Sequence, residues 1–184
     1  KDNCFWDVFD KYKENGIKNI SYQEAKERLQ GLLSDAIKKR MIADVPLGTF
    51  LSGGIDSTLV TAMAQELSTS PIKSYSIGFK NNTYNEATFA KSIAEYLGTE
   101  HHEIYVSDSD FEQMIDSLVM YFDEPFADSS QIPTMLVSKF ARNDVTVVLS
   151  GDGGDELFCG YNDYKALPLE QKLLPISNQL RLIN

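Results

Sequence analysis

A chain of 184 residues, 42% hydrophobic and 24% charged, has the length and balance of one globular domain with a sizeable buried core. Its net charge of −10, with Ile37-Lys38-Lys39-Arg40 as the only basic run, excludes a groove for nucleic-acid phosphates; an anionic nucleotide would need a metal ion and backbone N–H groups to hold it. No apolar run is long enough to span a bilayer and no signal-peptide pattern opens the chain, so no membrane partner is expected. Cys4 and Cys159 stand in no CxxC spacing and read as free thiols of a reducing compartment, the cytoplasm. Because the first residue is Lys1 rather than Met, the chain is expected to be a piece of a longer protein.

Residues 1–20 hold Phe5, Trp6, Phe9 and Tyr12 ahead of the turn Glu14-Asn15-Gly16, and read as a connecting arm. Ser21-Tyr22-Gln23-Glu24 is a capping box, so a helix should run to about Ile42, with Leu29, Leu32, Leu33, Ala36 and Ile37 at helical spacing. After Pro46 the pattern alternates. Strands are predicted over 48–52, 72–79, 101–106 and 145–150, and helices over 55–67, 85–97, 108–121 and 133–142, with Gly98 stopping the second of these helices. Strands and helices taking turns predict an α/β fold, a parallel sheet with helices on both faces. Beyond Tyr161 the pattern weakens, and Pro168 and Pro175 break any long helix.

The sharpest motif is Ser52-Gly53-Gly54-Ile55-Asp56-Ser57, where a predicted strand gives way to a predicted helix. A chance match to S-G-G-x-D-S in a chain this long is on the order of a few in ten thousand, so the motif carries information. Two glycines let the backbone turn tightly and approach a bulky anion, and the N–H groups opening the helix favour that anion. Ser52 and Ser57 add hydroxyl donors. Asp56 is a poor neighbour for phosphate unless a divalent cation lies between them, so it reads as a Mg²⁺ ligand. The G-x-x-x-x-G-K-[ST] pattern and its lysine, which serve transfer of a terminal phosphate, are absent.

A second loop, Ser150-Gly151-Asp152-Gly153-Gly154-Asp155-Glu156, follows the predicted strand 145–150. Alone it reads equally as a solvated acidic turn. Ligands of open parallel sheets bind outside the carboxyl ends of the strands, so the two loops together could face one nucleotide, with Asp56 and Asp155 sharing magnesium.

The first loop resembles the signature of the N-type ATP pyrophosphatases. The stretch from Ser150 through Phe158-Cys159-Gly160-Tyr161 resembles that of glutamine-hydrolysing asparagine synthetases, as do Pro46-Leu47-Gly48 and Glu124-Pro125-Phe126-Ala127-Asp128-Ser129-Ser130. The likeness runs from about residue 21 to 165, with 166–184 as the start of a truncated helical region. It implies a five-stranded parallel sheet of the adenine-nucleotide hydrolase type. It also implies nucleotide contacts at Leu51, Ser52, Gly53, Gly54, Asp56, Ser57, Ile77, Ser150 and Gly151, and metal contacts at Asp56 and Asp155. Asp152 would stand near the reacting carboxylate and assist proton loss from ammonia. It takes the place of a commoner Glu that is one carbon longer. Cys159 replaces a common glycine, so the loop there need not take a positive φ.

The implied reaction is ATP-dependent amide synthesis: aspartate, ATP and ammonia give asparagine, AMP and pyrophosphate through β-aspartyl-AMP. The implied partner is a glutaminase domain of the same full-length protein, with a homodimer as a candidate assembly. Neither the catalytic N-terminal cysteine of that domain nor the lysine of the family's later helical region has a counterpart here. A β-lactam synthetase, another carboxylate-adenylating amidotransferase, or an ATP-binding piece without catalysis are the alternatives. His101 and His102, adjacent on a strand, should point to opposite faces and so form no joint metal site. Asp108-Ser109-Asp110 reads as a helix-capping run, and Asp123-Glu124-Pro125 as a loop, solvated or shaping the amino-acid pocket, with no site assigned to it.

Overall fold

The structure, a computed structural model, describes residues 7, 19–80, 85–124, 128–162 and 164. The arm over residues 1–20, Cys4 and the segment 166–184 lie outside the described residues, or nearly so. The chain divides into two compact units, Lys1–Lys39 and Arg40–Asn184. The first carries all but the last residue of helix α1 (Tyr22–Arg40). Its start meets half of the capping-box expectation: Glu24 N–H donates to Ser21 Oγ at 3.1 Å, but the Glu24 carboxylate, expected to reach back, turns forward to pair with Arg28 at 2.5 Å.

The second unit runs β1 (Leu47–Phe50), α2 (Ile55–Leu67), β2 (Lys73–Phe79), α3 (Glu86–Leu97), β3 (Glu100–Val106), α4 (Asp108–Tyr121), α5 (Gln131–Ala141), β4 (Val147–Leu149) and α6 (Gly154–Phe158). Its sheet is wholly parallel, in the order β3-β2-β1-β4. Among the described residues it has four strands, where the family resemblance implied five. The strand expected over 145–150 is three residues long, because Val145 closes the α5 turn through its N–H to Ala141 O at 2.9 Å.

Each helix boundary has a local cause. Asn85 Oδ1 accepts from Ala87 N–H at the start of α3, and Gly98 at φ +71 ends it. At α4 the Asp110 carboxylate accepts from both Ser107 N–H at 2.7 Å and Ser107 Oγ–H at 2.6 Å, which holds its pKa below the usual carboxylate range. The acidic run, which forms the first turn of α4, therefore caps through Asp110, as expected.

Period-two alternation assigns each face of the sheet. Tyr75 and Ile77 of β2, with Phe50 of β1, pack against Val137, Phe140 and Ala141 of α5. The Tyr75 ring meets Phe140 edge-on at 6.0 Å and stacks on His102 at 5.2 Å. On the other face, Leu51 packs against Ala90 and Ala94 of α3, whose small side chains let helix and sheet approach closely. That face also holds a buried polar seam. Thr61 Oγ1 donates to Thr49 Oγ1 at 3.1 Å, and Ser74 Oγ meets Thr99 Oγ1 and His101 Nδ1, each at 2.8 Å. Ser76 Oγ lies 3.2 Å from His101 Nε2. The two histidines thus face opposite sides of the sheet, as their adjacency predicts.

Burial pushes the pKa of His101 below 6.5, partly opposed by Glu103, whose carboxylate lies 3.8 Å away. The unfolded chain therefore takes up a proton here more readily than the folded one. The neutral ring contributes stability above about pH 6.5, and that contribution is lost as the pH falls through the lower folded value. We expect the urea midpoint of the wild type to fall more between pH 7.5 and pH 5 than that of His101→Gln. Equal falls would show that His101 does not set the acid sensitivity.

Candidate functional site

The order of the strands creates the site. From β1 the chain moves outward through β2 to β3, then returns to add β4 on the free side of β1. Leu47 pairs with Val147 and Thr49 with Leu149, so the two strands end level and both glycine loops leave side by side from their carboxyl ends. This is the reversal point at which open parallel sheets bind ligands.

The first loop is shaped by its own hydroxyls. Ser57 Oγ accepts from Ser52 N–H at 3.2 Å, donates to Gly54 O at 3.3 Å, and shares a 2.9 Å bond with Ser52 Oγ. Ser52 Oγ in turn accepts from Gly54 N–H at 3.2 Å. Gly53 takes φ +88, a conformation that side chains rarely adopt, and a Cβ there would stand 3.1 Å from Phe89 Cβ and 3.2 Å from Ala90 N of α3. Gly54 is the N-cap of α2 and offers no side-chain cap, so the first-turn N–H groups of that helix are left for an incoming acceptor.

The second loop closes onto the first. A Cβ on Gly151 would stand 2.7 Å from Ser57 N, 3.0 Å from Asp56 C and 3.1 Å from Asp56 Cβ, so the backbones meet without space for a side chain. Ser150 Oγ–H donates to Asp152 Oδ2 at 2.9 Å, which fixes that exposed carboxylate at the rim. Tyr161 O–H donates to Glu156 Oε1 at 2.8 Å, which pushes its pKa up to about 12. Cys159 is exposed and takes φ 57, ψ 43. The expectation that this position need not take a positive φ is thereby corrected. The left-handed backbone of the turn is kept, and a non-glycine residue bears a strain of roughly 1–2 kcal/mol there.

Both loops line one cleft of about 930 Å³. Leu51, Ser52, Gly54, Asp56, Ser57, Ile77, Ser150, Gly151, Asp152 and Asp155 all border it, whereas Gly53 faces α3 instead. Phe158 of the second motif borders it too, and Tyr75, Ser76, Phe79 and Glu86 border it while belonging to no motif read from sequence. Tyr75 and Phe79 could have been found from Ile77, since residues two apart on a strand share its face.

A second cavity, of about 920 Å³, is bordered by α4, α5 and β4, with Lys139 and Arg142 on its wall. It shares Phe50, Ser130, Thr134 and Asp152 with the cleft, so Asp152 stands where the two join. Asp128, in the turn before α5, spends its carboxylate on Ser130 N–H and Oγ–H, both at 2.8 Å.

Asp56, Glu86, Asp152 and Asp155 border the cleft, and among the described residues no lysine or arginine does. An anion could bind in such a cleft only on backbone N–H groups and a cation. Among the described residues no group of three His, Cys, Asp or Glu could hold a metal alone. Mg²⁺ does not require one, since it binds through one or two carboxylates and completes its shell with phosphate oxygens and water. The donor set therefore fits Mg²⁺ carried with a nucleotide.

Residues 28–182 match a family model described as asparagine synthase. The chain is 46% identical over 158 residues to a putative glutamine-hydrolysing asparagine synthetase of Methanocaldococcus jannaschii, covering 85% of this chain and 30% of that protein. It is 38% identical over 167 residues to glutamine-hydrolysing asparagine synthetase 1 of Bacillus subtilis, covering 90% of this chain and 26% of that protein. The chain thus spans less than a third of the length of these relatives. Among solved structures, NMN synthetase from Francisella tularensis superimposes with a TM-score of 0.50 at 22% identity, over 78% of this chain and 59% of that one. That likeness is one of fold. Among the described residues no helix is long and apolar enough to cross a membrane.

The contact between the loops makes a direct prediction. Gly151→Ala pushes a methyl group into backbone that cannot turn aside, and should destabilise the protein by about 1–3 kcal/mol. An unchanged urea midpoint would show that the two loops are not packed as described.

Proposed function

Since the chain belongs to the asparagine synthase family, we propose that its cleft binds ATP with Mg²⁺ and activates the side-chain carboxylate of aspartate for amide formation. One observation carries this reading. Two glycine loops meet at the carboxyl ends of adjacent parallel strands, with Asp56 and Asp155 on their inner walls and no Walker lysine.

In this reading the first-turn N–H groups of α2 and the glycine backbone of the first loop receive pyrophosphate rather than a terminal phosphate. Asp56 and Asp155 would hold Mg²⁺, whose charge would offset that of the departing pyrophosphate. Leu51, Ile77, Ser150 and Gly151 border the nucleotide, with Ser52 and Ser57 bracing the loop around it. An aspartate carboxylate oxygen attacks the α-phosphorus, the bond to the bridging oxygen of pyrophosphate breaks, and β-aspartyl-AMP forms. Ammonia then attacks the acyl carbon, loses a proton toward Asp152 and displaces AMP. The adjoining cavity, with Lys139 and Arg142 on its wall, gives an acidic amino acid a route to Asp152. In the intact protein ammonia would come from glutamine hydrolysed by a separate domain.

Two experiments on the intact protein test this. Given ATP, aspartate and ammonia, it should yield AMP and pyrophosphate in equal amounts with asparagine. Aspartate labelled with ¹⁸O in its side-chain carboxylate should leave one label on AMP. ADP and inorganic phosphate as stoichiometric products would reject adenylation; AMP without label would reject the acyl-adenylate. Asp56→Asn and Asp155→Asn should each slow pyrophosphate release roughly 10–100-fold or more at limiting Mg²⁺. A variant that keeps the wild-type rate under that condition has been wrongly assigned as a ligand.

A further inference from the structure

The second loop carries glycine both where its backbone calls for it and where it does not. Gly153 sits at φ +89, where a side chain is strained, yet nothing lies within 4 Å of the place its Cβ would occupy. Cys159, also in the left-handed region, is not glycine at all. Gly154 and Gly160 show the reverse. Neither takes a positive φ, so no left-handed backbone reserves either position for glycine.

What occupies the missing side-chain positions is a carboxylate in each case. A Cβ on Gly154 would collide with Asp56 Cγ and stand 2.7 Å from its Oδ2 and 2.8 Å from its Oδ1. A Cβ on Gly160 would fall on Asp155 Oδ1 and stand 2.7 Å from its Cγ and 3.1 Å from its Cα. Gly160 N–H also donates to Asp155 O at 3.0 Å, which ties the two residues together through the backbone. The two carboxylates so accommodated are the same two that the cleft offers to a cation.

We propose that Gly154 and Gly160 are positioning residues, whose absent side chains leave the spaces in which the carboxylates of Asp56 and Asp155 are held for a nucleotide-bound divalent cation. The inference rests on the Mg²⁺–ATP reading of the cleft and extends it to two glycines of its wall that offer no side chain to either ligand. It separates positioning from packing. A carboxylate is the far end of a flexible side chain and can swing away from a new methyl group at little cost to folding. Alanine is also the better helix former at Gly154, the first residue of α6. Gly154→Ala should therefore leave the fold intact and displace its ligand; Gly160→Ala should displace its ligand too, with only the small backbone adjustment that a Cβ 3.1 Å from Asp155 Cα requires.

The test uses intact protein with Mn²⁺ as the probe, titrated in the presence of α,β-methylene-ATP and read by the electron paramagnetic resonance of free Mn²⁺. Gly154→Ala and Gly160→Ala should weaken Mn²⁺ binding tenfold or more while keeping the wild-type urea midpoint. Combining Gly154→Ala with Asp56→Asn should weaken it no further than Asp56→Asn alone, because both act on one carboxylate. Wild-type Mn²⁺ affinity in both alanine variants would overturn the proposal, as would additive losses in the double variant. A urea midpoint that falls in step with affinity would also overturn it, by making these glycines packing residues. Wild-type protein that binds no Mn²⁺ with the analogue would instead reject the Mg²⁺–ATP reading, and the positioning role with it.

Discussion

The pairing of β4 with β1, on the side of β1 away from β2, is the contact on which the rest of the site depends. Parallel strands that end level leave their following loops as neighbours, and only this pairing brings residues 51–57 against residues 150–156. The remaining strands and helices support that arrangement. α5 covers one face through Tyr75, Val137 and Phe140, and α3 covers the other through Ala90 and Ala94. Beneath α3, hydroxyls and His101 satisfy one another, which allows polar groups to remain buried.

Glycine serves three separate physical purposes within the two loops. At Gly53 and Gly153 it supplies a positive φ; at Gly151 it lets one backbone approach another; at Gly154 and Gly160 it leaves space for a carboxylate. Only the first purpose is about conformational freedom. A loop of this kind carries little positive charge of its own, and its attraction for an anion comes from N–H groups, a helix start and a cation held by acidic side chains. That accounts for a chain of net charge −10 whose family relatives are named as synthetases.

The elements were largely legible in the sequence because their signals are local. Capping at Ser21 and Ser107, the Gly98 stop and the strand–helix alternation all act within a few residues. Two local expectations missed. The strand over 145–150 shortened to Val147–Leu149 because the α5 turn claims Val145, and Cys159 kept a left-handed backbone despite its side chain. In both cases neighbouring structure overrode the residue's own preference. Among the described residues the sheet shows four strands rather than the five implied by resemblance.

By itself the sequence determined the fold class, the two glycine loops, their place after strands and the carboxylates within them, since each is a matter of residue type and short spacing. Tertiary structure alone decided that both loops border one cleft, that Gly53 turns away from it, and that Tyr75, Phe79 and Glu86 join its wall. It also decided which glycines are required by backbone angle and which by a neighbouring side chain. The reason is distance along the chain. Asp56 and Gly154 meet only because β4 returns to β1, and such a contact leaves no pattern in residues so far apart.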